Sequence, residues 1–141
     1  MTKALIRNRS LFPFGPFWED VFNTTMAAPA TEASKLRPAL DVEETDEAIQ
    51  VSIELPGMTK DEVNVSIEDG VLTVSGEKAA KTENEDSNYH IIERSYGSFA
   101  RSLSLPAHIA ADKAAAKFEH GVLVIKLPKM EAAKPKRLEI E

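Results

Sequence analysis

Residues 49 to 76 read IQVSIELPGMTKDEVNVSIEDGVLTVSG, and the spacing of apolar side chains in this stretch decides the fold class. Ile49, Val51, Ile53 and Leu55 recur at every second position with Gln50, Ser52 and Glu54 between them, the alternation of a strand with one buried face. Pro56-Gly57 stops that strand, because proline has no ladder N–H and glycine permits a reversal. Val63, Val65 and Ile67 repeat the alternation, Glu68-Asp69-Gly70 supplies a tight hairpin turn, and Val71 to Val74 runs back. The expectation is a β-meander with one oily face.

The rest of the chain extends this pattern. Ala39 to Glu44 reads as a short first strand whose acids suit a sheet edge. Tyr89 to Arg94 regains strand character after the long charged loop EKAAKTENEDS that follows Gly76. Phe99, Arg101, Leu103 and Leu105 share one face of a further strand, with Ala100, Ser102 and Ser104 on the other. Ala114 to Phe118 and Val122 to Leu127 make a last hairpin, and its FEHGVLVI matches IEDGVLTV at four of eight positions. One turn solution is thus used twice, with His120 standing where Asp69 stands. Seven or eight short strands with turn punctuation predict an all-β chain folded as a β-sandwich.

Three blocks carry a family resemblance. Leu55-Pro56-Gly57-Met58, then Asp61-Glu62-Val63, then EDGVLTVSGE over 68 to 77 resemble the α-crystallin domain of small heat-shock proteins of the bacterial and plant type. AKFEHGVL over 116 to 123 is similar to that family's late A-x-x-x-x-G-V-L signature, and Leu138-Glu139-Ile140 to its short C-terminal motif. The resemblance covers residues 38 to 141. It implies an immunoglobulin-like β-sandwich and an ATP-independent chaperone. It further implies a loop-borne strand that crosses to a neighbouring subunit and pairs with its first strand. On that pattern Tyr89, Ile91, Ile92 and Arg94 join a dimer interface, and Arg101 lies at the seam. Read from its own position, an arginine on an oily face needs a carboxylate or another partner, or else lays its stem on apolar surface while its head reaches water.

The ends differ from the middle. Residues 10 to 22 hold five of the nine aromatic residues, broken by Pro13, Gly15 and Pro16, and residues 23 to 37 read as a linker. These aromatics either cap the core or form an adhesive arm. The arm reading makes Leu11, Phe12, Phe14, Phe17, Trp18 and Phe22 the client-binding residues. The division expected is a flexible aromatic arm and linker over 1–37, an α-crystallin domain over 38–130, and a tail over 131–141. Leu138 and Ile140 in that tail project in the same direction, as in peptides that augment a sheet or fill a groove, and are expected to drive oligomerisation.

Composition excludes several functions. The chain has 141 residues, enough for one domain, and no cysteine, so disulfides, thiolate metal sites and thiol nucleophiles are absent. Net charge is −6, and the acids concentrate in residues 38 to 130, which disfavours nucleic-acid phosphates. There is no signal-peptide pattern and no integral membrane span, so the expected location is cytoplasmic. A membrane-surface arm over Phe17 to Phe22 is weakened by Glu19 and Asp20. His90, His108 and His120 form no metal motif, and no phosphate-binding loop or nucleophile elbow occurs. No cofactor, no metal and no enzyme activity are expected. The leading expectation is a holdase that self-associates into dimers and larger homo-oligomers and binds unfolding client proteins. The rival is a β-sandwich co-chaperone or scaffold adaptor that holds one defined partner.

Overall fold

The computed structural model describes residues 36–80 and 86–141. Among these residues seven strands follow in chain order: β1 (Leu40–Glu44), β2 (Ala48–Glu54), β3 (Val63–Glu68), β4 (Val71–Lys78), β5 (Gly97–Ser104), β6 (Ala115–Glu119) and β7 (Val122–Pro128). They form two antiparallel sheets, one ordered β1-β2-β7-β6 and the other β3-β4-β5. The predicted all-β class and sandwich architecture are therefore found.

The meander expected over 49 to 76 is not. β2 pairs with β1 and β7, while β3 pairs only with β4, so the two strands lie in different sheets. The reason lies in the connection. Leu55 and Met58 are buried in the core, and the Leu55 N–H donates to the Gly121 carbonyl at 2.7 Å, which turns the chain away from its own sheet. A one-turn 3-10 helix, Lys60–Glu62, completes the crossing, and the Glu62 carboxylate accepts from the Thr59 N–H at 2.7 Å. Alternation marks the inward face of β2 correctly, but the neighbour that the meander implies, β3, is replaced by β7.

That inward face is closed. Ile49, Val51 and Ile53 pair across to Leu127, Ile125 and Leu123 of β7, and the opposite wall is Leu72, Val74, Phe99 and Leu103. Burying each such side chain contributes about 1.5 to 3 kcal/mol, so the β2–β7 pair is the chief hydrophobic seam. The sister hairpins behave alike. Asp69 and His120 both adopt positive φ, 50° and 54°, each followed by a glycine at 71° and 76°, as two-residue type I′ turns require. β4 continues through Gly76 to Lys78 instead of stopping at Gly76. A β-carbon at Gly76 would stand 2.5 Å from the Glu62 carbonyl oxygen and 2.9 Å from the Phe99 ring, so only glycine lets these three elements close.

The strand expected at Tyr89–Arg94 is also absent. Residues 88–94 have no regular structure and no backbone hydrogen bond to any described residue. A strand is defined by its neighbour, and among the described residues no strand lies alongside.

Candidate functional site

The edges of the sandwich and the segments leaving it hold the exposed apolar groups. Among described residues the large ones are Val65, Tyr89, Ile91, Ile92, Met130, Leu138 and Ile140. Arg101 Nη1 of β5 donates to the Pro38 carbonyl, just before β1, at 3.3 Å, which ties the β5 edge to the chain entering β1; β3 and β6 are the other edge strands of the two sheets. β3 and β6 are mostly exposed, as unpaired edge strands are.

Each expected interface residue can be placed. Tyr89, Ile91 and Ile92 are exposed, the two isoleucines at 76% and 68%, values no ordinary folded core would tolerate for both. Arg94 lies over the Tyr96 ring, its guanidinium carbon 5.4 Å from the centroid. Arg101 stands apart from them, half-buried on the inward face of β5. Burial, and then the neighbouring Arg37, push its pKa below the ordinary arginine value, and it remains charged. It bonds a backbone carbonyl rather than the carboxylate considered from sequence. Leu138 and Ile140 are 76% and 99% exposed in a tail without regular structure. The client-binding set Leu11, Phe12, Phe14, Phe17, Trp18 and Phe22 lies outside the described residues.

Sequence reasoning missed an ionic anchor at the root of the tail. Lys129 Nζ meets Glu44 Oε1 at 2.7 Å, with only 11% and 9% of the two side chains exposed. The Lys129 N–H donates to the Glu47 carbonyl at 2.9 Å and the Met130 N–H to the His108 carbonyl at 2.7 Å. Lys134 Nζ then bridges Glu47 Oε2 at 2.8 Å and Glu131 Oε1 at 2.9 Å. The hydrogen bond from Lys134 holds the Glu131 carboxyl below the usual carboxylate range, and bonds to Glu47 and Glu131 raise the Lys134 pKa. Finding this anchor required knowing that Ala48 pairs with Pro128, which brings Glu44 and Glu47 beside Lys129.

A cleft of about 260 Å³ is lined by Leu36, Pro38, Leu55, Met58 and Phe99 together with the charged Arg37, Glu54 and Lys78. Among the described residues no three His, Asp or Glu side chains gather as metal ligands, and no helix is long and apolar enough to cross a membrane.

Comparison with known proteins gives a consistent result. The sequence profile described as the Hsp20/alpha crystallin family matches residues 41–141. Small heat shock protein C2 of Rickettsia felis is 39% identical over 126 residues, covering 88% of this chain and 82% of that protein. The 16.9 kDa class I heat shock protein 1 of Triticum aestivum is 37% identical over 147 residues, covering 98% and 97%. Among solved structures, heat shock protein 16.0 from Schizosaccharomyces pombe is similar with a TM-score of 0.66 at 37% identity, covering 76% of this chain and all (100%) of that one. A small heat-shock protein from Xylella fastidiosa also gives 0.66, at 31% identity over 77% and 99% of the two chains.

Proposed function

The chain belongs to the Hsp20/alpha crystallin family of small heat shock chaperones, which are not enzymes, and from that membership we propose that it is an ATP-independent holdase that keeps unfolding proteins from aggregating. The observation that carries this reading is the separation of a closed core from exposed aliphatic groups. Ile49, Ile53 and Leu127 are fully buried, whereas Ile91, Ile92, Leu138 and Ile140 lie open on segments without regular structure. Apolar side chains left out of a sufficient core belong to intermolecular contacts.

In this reading the chain divides into an arm over 1–37, the sandwich over 38–130 and a tail over 131–141. Tyr89, Ile91, Ile92 and Arg94 extend the β1 edge of a second copy, forming a dimer with Arg101 near the seam. Leu138 and Ile140 link dimers into larger homo-oligomers. Burying the two tail side chains yields about 3 to 6 kcal/mol before ordering costs, so a single tail holds weakly and only repetition around an assembly makes it firm. Leu11, Phe12, Phe14, Phe17, Trp18 and Phe22 bind clients by adaptable apolar contact. The absence of cysteine suits a cytoplasmic location.

The test is light scattering of a heated client protein without ATP. The parent chain holds the client soluble, and replacing Phe12, Phe14, Phe17, Trp18 and Phe22 with serine abolishes most of that protection. The Leu138→Ala, Ile140→Ala variant falls to dimer mass with its sandwich intact. Protection that appears only with ATP would sink the holdase reading, and a parent chain that is monomeric and holds one defined partner would favour the adaptor instead.

A further inference from the structure

Resting on the strand exchange proposed above, we infer that charge dictates which face of residues 89–94 turns inward on the β1 edge of a second copy, through Arg94 against that copy's Asp41 and Glu43. Two unsatisfied sets of groups carry the inference. Arg94 and Lys78 converge over Gly57, where a β-carbon would stand 3.3 Å from Arg94 Nη2 and 3.7 Å from Lys78 Nζ. Both cations lie over the Tyr96 ring, Arg94 at 5.4 Å and Lys78 at 5.8 Å from its centroid, and no described carboxylate lies within ion-pair distance of either. Two like charges so close favour any incoming anion. On β1, Asp41 and Glu43 are exposed on the outward face and likewise form no ion pair with a described residue. Among the described residues no strand lies beside the outer edge of β1.

An extended segment laid on that edge has two possible faces, because successive side chains alternate. In one, His90, Ile92 and Arg94 share the outward face with Asp41 and Glu43, while Tyr89, Ile91 and Glu93 turn inward beside Leu40 and Val42. In the other, Glu93 joins the acids and Arg94 turns in. The second places like charges together, and opposite charges across strands stabilise while like charges destabilise. The first also sets Tyr89 and Ile91 against Leu40 and Val42, which are half-buried and pack on the core. Ile91 is therefore the seam residue and Ile92 an outer one. Self-recognition would follow from this code, since a chain with a differently charged first strand would be refused.

The experiment is charge reversal and rescue in the full chain, with dimer dissociation followed by native mass spectrometry on dilution and folding checked by circular dichroism. Arg94→Glu and Glu43→Arg each weaken the dimer about tenfold, and the two together recover most of that loss. Ile91→Ser weakens the dimer more than Ile92→Ser. If Ile91→Ser loosens the dimer while charge reversal has no effect or is not rescued, the charge code is overturned and strand exchange stands. A larger effect at Ile92 than at Ile91 reverses the face and overturns the code as well. If neither isoleucine matters, both the code and the exchange fall.

Discussion

Two segments leave the sandwich, and they do so under opposite terms. Residues 129–134 are tied down by the Lys129–Glu44 and Lys134–Glu47 ion pairs and by two backbone hydrogen bonds to Glu47 and His108. Residues 88–94 carry two exposed isoleucines and no backbone bond to any described residue. The first segment is polar yet anchored; the second is apolar yet loose. Polarity alone thus does not foretell attachment. What matters is whether the fold supplies a backbone neighbour, and for 88–94 the described residues supply none; under the proposed strand exchange a second copy would supply it.

The largest expected effect comes from breaking the anchor. Lys129→Met removes the cation facing a Glu44 side chain that is only 9% exposed, and should cost about 3 kcal/mol in denaturant unfolding. Adding Glu44→Gln should recover part of that loss, because the buried carboxylate charge is removed together with its lysine. A single variant with unchanged stability would mean that the pair is solvated in solution.

A second measurement sharpens the contrast without mutation. In hydrogen exchange the Lys129 and Met130 amides should be protected whether or not the chain is assembled, since their acceptors are in the same chain. The Ile91 and Ile92 amides should exchange freely when subunits are dilute and slow by an order of magnitude or more on assembly. Equal protection at both concentrations would show that 88–94 finds its partner within the chain.

The smallest effect is at the outer clasp. Lys134→Ala should move the melting temperature by no more than about 2 °C, because the pair is solvent-screened. Its pH dependence has a definite sign. The Glu131 carboxyl is depressed in the folded chain, so its contribution is present above the ordinary carboxylate range and lost as pH falls through the lowered value. The Lys134 ammonium is raised, so its contribution holds below the ordinary lysine range and is lost as pH rises through the higher value. NMR of the Ala133 and Lys134 amides should therefore show the clasp closed across neutral pH and opening only at the two extremes.

Much of the molecule could be read without a structure, and the limits have physical causes. Period-2 alternation identified the buried faces of β2 and β5, and the Asp69-Gly70 and His120-Gly121 pairs identified two hairpins, because side-chain direction and turn geometry depend on adjacent residues. The resemblance at 55–77 and 116–123 led correctly to the family. Three things waited for the tertiary structure. The partner of β2 proved to be β7 rather than β3, since strand pairing joins residues some 70 positions apart on the strength of core packing. Tyr89–Arg94, with its strand-like sequence, stayed without a strand, since a ladder needs a second backbone. The Lys129–Glu44 anchor emerged only once β2 and β7 lay side by side, because an ion pair depends on distance in space and nothing in either residue's local sequence encodes it.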